Sequence, residues 1–226
     1  MPFIKSLVGK KILMAVTGVM LFCFVLIHLA GNTTIFMGLI NAYGEHLHAL
    51  PAIVWAFRVM LFMIFVIHVY FGIVLTLENN AARPQAYAVK KNLRTTFASR
   101  NMIWTGALIG GFLVYHLLQF TLHVMNPELA AGVAGNFDKL GRPDVFKMMV
   151  LSFTQTPISA IYIIAMIVLA LHLTHGVQSF FQTLGLNSEK SLPVFEKLST
   201  AAAIVIFIGF ASIPIVILIG ILNYTS

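Results

Sequence analysis

Residues 167–185 read IVLALHLTHGVQSFFQTLG. An unbroken apolar run takes in two histidines three positions apart, His172 and His175, with Gly176 directly after them. The run reaches back to Pro157, which makes it longer than the roughly 20 residues a helix needs to cross a hydrocarbon core. A polar stretch, LGLNSEKSLP, closes it. Histidine inside such a helix is costly and points to function by default.

Four more segments of the same kind lie at residues 11–37, 52–78, 102–125 and 199–222. The 226-residue chain is 59% hydrophobic and 9% charged, with a mean hydropathy of +0.94, which excludes an ordinary soluble domain. A lipid-exposed backbone must satisfy its own hydrogen bonds, so the segments read as helices. The expected fold is an all-α integral membrane protein: one membrane-embedded domain over residues 1–226, a bundle of five transmembrane helices. No internal repeat is evident. Cys23, the single cysteine, lies inside the first span, which excludes a disulfide or cysteine cluster within the chain. The basic start lacks a small-residue cleavage site and reads as a retained first helix.

Orientation follows from Lys and Arg placement. Lys5, Lys10, Lys11, Arg83, Lys90, Lys91, Arg94, Arg100, Lys190 and Lys197 fall on one side. On the other, Lys139, Arg142 and Lys147 are offset by Glu128, Asp138 and Asp144. The N-terminus is therefore expected in the cytoplasm and the C-terminus outside. The basic face suits anionic lipid or a docked soluble partner; a nucleic-acid partner is not expected. Pro51 reads as a helix start and Thr156 as the cap ahead of a first-turn proline, Pro157, and Pro214 should kink the fifth helix without ending it. Within the long outer loop, PDVFKMMVLSF should form a short interfacial helix.

Six of the eight histidines fall in predicted spans: His28, His68, His116, His123, His172 and His175. Counting 1.5 Å per residue from the inner helix ends places His28 and His116 at depths of about 25 and 23 Å, and His68 and His172 at about 14 to 15 Å. The four sort into two level pairs about 9 Å apart. Histidines facing each other from different helices are what grips a haem iron from both sides in a bundle. Structural zinc normally takes four ligands together, so it fits two-histidine levels poorly. Gly72 and Gly176 each follow an inner-pair histidine by four residues, leaving room for a flat macrocycle; close helix packing is the other use of glycine there. His175 and His123 could each bond a haem propionate or serve a quinone. Arg58 should pair with a propionate or snorkel to the interface.

The motifs GKKILMAVTG, HLAGN around His28, FVIHVYFG around His68, YHLLQF around His116 and LHLTHGVQSFFQTLG around His172 are similar to those of the dihaem cytochrome b membrane-anchor subunit of succinate:quinone oxidoreductases (succinate dehydrogenase and quinol:fumarate reductase). The likeness runs through all five helices. The resemblance implies two haem b groups, the distal one on His28 and His116 and the proximal one on His68 and His172. It implies menaquinone as substrate, and flavoprotein and iron–sulfur subunits on the cytoplasmic face of a bacterial inner membrane. On that reading the chain is the quinone-reactive subunit and does not itself act on fumarate. A dimer of complexes stays open. Quinol oxidation also needs a proton acceptor near the outer face, and GLINAYGEHLHALP offers Glu45, His46 and His48, with Glu45 preferred. Some quinol:fumarate reductases of this family carry a glutamate just ahead of the fourth ligand, proposed to return protons across the bilayer; here that neighbourhood is LALH, with Ala170. Turnover should then be electrogenic. The competing readings are a dihaem cytochrome serving a hydrogenase or formate dehydrogenase, and a transporter using the histidines as a proton relay.

Overall fold

The computed structural model describes residues 2–82, 96–133 and 135–224. Among them the chain is helical: α1 (Pro2–Lys5), α2 (Leu7–Thr33), α3 (Ile40–His48), α4 (Pro51–Ala81), α5 (Phe97–Arg100), α6 (Met102–Phe120), α7 (Val145–Phe153), α8 (Thr156–Thr183) and α9 (Leu192–Leu218). Five of these, counting α2 with the 3₁₀ turn that extends it to Met37, are long and apolar enough to cross a membrane: α2, α4, α6, α8 and α9. Arg83, Lys90, Lys91 and Arg94 of the expected basic face lie outside the described residues.

Side-chain contacts set the helix directions. Lys10 near the start of α2 pairs with Glu78 near the end of α4, so these two run antiparallel. Gln178 late in α8 bonds Glu196 early in α9, which reverses the chain again. The N-terminus and Glu78 therefore share one end of the bundle, here the N-terminal end. The surface suits lipid, since Ile27, Phe62, Trp104 and Ile164 are each at least 60% exposed, a pattern water would not tolerate over so many large side chains.

Helix ends depart from the expected limits in three places. Thr156 is not a cap: the cap position is Gln155, with no side-chain bond, and Thr156 opens the helix ahead of Pro157. The fifth helix begins at Leu192 rather than residue 199, because Pro193 in its first turn suits a start, and it runs through Pro214 to Leu218. The third span stops at Phe120 rather than residue 125. There the Leu122 N–H returns to the Leu117 carbonyl, and His123 takes the left-handed conformation, φ 52°, usually left to glycine.

At the opposite end, the first outer segment is itself the helix α3, and PDVFKMMVLSF holds α7 as expected. They dock through the buried Asn41, whose amide donates to Asp144 (3.1 Å) and Asp138 (3.3 Å) while its oxygen accepts from the Phe146 N–H (2.8 Å). Below this cap, Ile35, Ile40, Val150, Phe153, Tyr162 and Ile213 form one buried cluster.

Candidate functional site: two histidine pairs between four helices

Two imidazole pairs stand between the helices. His28 on α2 meets His116 on α6, with ring centres 5.9 Å apart and planes at 84°. His68 on α4 meets His172 on α8, at 6.5 Å and 69°. Five-membered rings with bonds of about 1.33 Å have their centres about 1.1 Å from each atom, and metal–imidazole bonds run at about 2.0 Å. Two imidazoles on opposite sides of one metal therefore have ring centres about 6.2 Å apart. The two observed separations bracket that value.

Hydrogen bonds decide which nitrogen of each ring is free. The Thr17 hydroxyl on α2 directs its one hydrogen to the Leu13 carbonyl (2.7 Å), so its oxygen accepts from His68 Nδ1–H (3.2 Å). Thr105 on α6 does the same for His172: it bonds its own helix at Asn101 and faces Nδ1 at 3.1 Å. The Tyr162 hydroxyl on α8 donates to Gln119 Oε1 (3.0 Å) and accepts from His116 Nδ1–H (3.1 Å). All three rings are thus held with Nδ1 protonated and the Nε2 lone pair unused, the form that binds a metal. His28 differs. Its Nε2 accepts from the Asn32 amide (3.3 Å), which also bonds the His28 carbonyl at 2.8 Å.

Glycine position matters most where no histidine count would point to it. A Cβ on Gly18 would sit 3.3 Å from the His68 ring, and one on Gly106 3.5 Å from the His172 ring. Gly72, expected to make room for a macrocycle, lies against Met14, 3.4 Å from where its Cβ would be, while Gly176 has nothing within 4 Å. A Thr-Gly step therefore cradles each inner histidine: Thr17-Gly18 for His68, Thr105-Gly106 for His172.

These steps expose an internal repeat. TGVMLFCFVLIH (17–28) and TGALIGGFLVYH (105–116) share Thr-Gly and a histidine eleven residues after the threonine, and HVYFG (68–72) and HLTHG (172–176) share a histidine and a glycine. Helices α2 and α4 form one half, α6 and α8 the other, and each pair takes one histidine from each half. The expectation of no repeat is corrected. The spacing of the pairs is corrected too: His68 stands level with Thr17, eleven residues from His28, so the levels are about 16 Å apart at 1.5 Å per residue. Counting from helix ends yields about 9 Å because it sets Lys11 and Glu78 at one depth, whereas the Thr17–His68 contact fixes the register of α4 against α2 directly.

The remaining expected residues gather at the opposite end or stay unpartnered. Arg58 lies over the Trp55 ring (5.0 Å) and reaches His48 Nε2 at 3.5 Å, whose Nδ1 bonds the Gly44 carbonyl (2.8 Å). Burial first, then the charge of Arg58, hold the His123 imidazole below its ordinary range, partly offset by the Gln119 backbone carbonyl. Glu45 and His46 are exposed, and His123, expected within the third span, is off the helix altogether. His175 is half-buried beside the inner pair on its own helix.

The donor set suits haem rather than zinc. Among the described residues no three His, Cys, Asp or Glu side chains gather to hold a metal ion, whereas two imidazoles suffice where a macrocycle supplies the other four nitrogens. No protein-family model matches the chain, and no curated protein and no solved structure is found to be similar to it.

Proposed function

We propose that the chain is a dihaem membrane cytochrome, His28 and His116 holding one haem b and His68 and His172 the other. We further propose that it serves as the quinone-reactive anchor of a succinate:quinone oxidoreductase or quinol:fumarate reductase. The observation that carries the reading is the double pairing itself. Two imidazoles from separate halves of the bundle stand at the separation of opposite ligands, with Nδ1 tied to a hydroxyl in three of four rings.

Bound haem supplies a one-electron carrier at each level. The chain's residues do the rest. Thr17, Thr105 and Tyr162 fix the tautomers of His68, His172 and His116, leaving the Nε2 of those three rings for a ligand, whereas His28 would have to release the Asn32 amide from its Nε2. Gly18 and Gly106 let the inner rings approach the neighbouring helices. The levels, spaced along the bundle, join the opposite end to the N-terminal end. In this reading menaquinol is oxidised at the opposite end, outside the cell, and an iron–sulfur subunit with its flavoprotein docks at the basic N-terminal end in the cytoplasm. The sequence motifs around the four histidines support that assignment.

The deciding measurement is the haem b content of the purified complex by pyridine haemochrome spectra. Two per chain is the expected result, falling to one in either His116→Ala or His172→Ala. No haem in the unaltered complex would overturn the proposal.

A further inference from the structure

Among the described residues, two buried side-chain polar atoms lack a hydrogen-bond partner within bonding geometry, Gln119 Nε2 and His123 Nδ1; of the two, Gln119 is the decisive one, since the His123 ring is only half-buried and lies near the Gln119 backbone carbonyl. They lie four residues apart, at the end of α6 toward which the outer pair is displaced. Buried donors are nearly always paired, because leaving one bare costs stability. The Gln119 side chain is 3% exposed, and it is not free to turn, since its Oε1 holds the Tyr162 hydroxyl. Its Nε2 hydrogens are thereby aimed away from Tyr162 at a place the protein leaves without an acceptor. His123 is kept in a left-handed backbone conformation that a non-glycine residue rarely adopts, and such strain persists where a site needs it.

The reading of the chain as a quinone-reactive cytochrome supplies the ligand class. We propose that Gln119 and His123 form the quinone headgroup site, Gln119 Nε2 donating to one ring oxygen and His123 Nδ1 serving as a second polar contact. Arg58, whose charge reaches His123, lies nearby and contacts His48. A quinone suits the pair because it offers neutral oxygen acceptors to a neutral amide donor. The site is joined to the outer pair through a continuous chain, Gln119 Oε1 to the Tyr162 hydroxyl to His116 Nδ1. Glu45, the expected proton acceptor, is exposed, so headgroup binding and proton uptake would fall to different residues.

The test uses the purified complex with Gln119→Met, His123→Phe and Tyr162→Phe. Each is assayed for haem b per chain, for the midpoint potential of the outer haem, for the KM of a water-soluble naphthoquinol, and for the Kd of a naphthoquinone by calorimetry on the oxidised complex. Losing one buried donor should raise KM and Kd in Gln119→Met about tenfold, with two haems retained, and His123→Phe should behave alike. Tyr162→Phe, which keeps the Nε2 donor, should move the potential more than the Kd. If Gln119→Met and Tyr162→Phe shift the potential together and leave the Kd unchanged, Gln119 only braces Tyr162 and the assignment fails. It fails equally if Gln119→Met loses the outer haem, which would make a propionate the acceptor, or if nothing changes and water fills the place. Absence of haem from the unaltered complex would instead remove the underlying functional reading.

Discussion

Replacing Thr17 with valine deletes one oxygen beside His68 and leaves the side chain's shape nearly intact. That oxygen accepts the His68 Nδ1–H at 3.2 Å, and such a bond makes the imidazole a stronger electron donor, which favours the oxidised iron. Its loss should raise the midpoint potential of the inner haem. An ordinary hydrogen bond contributes about 0.5–1.5 kcal/mol net. At about 59 mV and 1.4 kcal/mol per tenfold for one electron, the whole bond would be worth roughly 20–65 mV if it discriminated fully between the two oxidation states. A rise of about 40 mV is the expected outcome. Thr105→Val removes the equivalent oxygen from His172, the other proposed ligand of the inner haem. The two threonines sit on different helices and share no partner, so the double variant should move the inner haem by about twice as much. Helix stability is little affected, because a threonine bonded to its own helix carbonyl adds nothing the helix needs. Potentiometric titration of the purified complex, followed in the haem absorption bands with haem content checked alongside, reads both shifts. A fall in potential, no shift with both haems retained, or a shift confined to the outer haem would refute the assignment of these hydroxyls.

Two further outcomes are expected. In Asp138, desolvation pushes the carboxyl pKa up, but the Arg142 side chain, the Arg142 and Leu140 N–H groups and the Asn41 amide outweigh it and bring it down to about 2. A carboxyl lowered on folding stabilises the cap above its unfolded value near 3.9. That contribution should drain away as pH falls from about 4 through about 2, seen as faster hydrogen exchange over 136–146 in the wild type and as a flat profile in Asp138→Asn. On the proposed reading, and with Ala170 rather than a carboxylate just ahead of His172, proteoliposomes given menaquinol outside and fumarate inside should build a membrane potential; a null signal would sink the electrogenic reading.

Much of the architecture is legible in the sequence because lipid imposes one rule on every segment. Length and apolarity find the five spans, and two level pairs emerge from counting inward along four of them. What counting misses are the residues whose value lies in contacts between helices. Thr17 looks like any membrane threonine, since such side chains normally bond their own helix, as Thr76 does with the Gly72 carbonyl. A signal for it was nonetheless present: Thr-Gly precedes a histidine at the same distance twice. The end of α6 was not legible, because Thr121 to Met125 continue apolar and no glycine marks the left-handed position that His123 fills. Gln119 could not be singled out at all, for only the tie to Tyr162 shows which way its amide faces.

The repeat also bears on where chemistry enters. In each half a threonine on one helix bonds the histidine of the next, so the two inner ligands have matching surroundings. A bundle that only conducted electrons could carry the same symmetry to its outer level. It does not: His28 meets the Asn32 amide, while His116 is tied through Tyr162 to a buried glutamine with a spare donor. Position 162 lies ten residues ahead of His172, and the matching position in the first half, ten ahead of His68, is Arg58. One half therefore contributes a tyrosine that orients a ligand, and the other a cation that meets His48 and influences His123. On the proposed reading, symmetry is kept at the inner level, where only conduction is needed, and broken at the outer level, where a proton-bearing quinone would have to be bound; that asymmetry is the ground for seeking the quinone site beside His116 rather than beside His68.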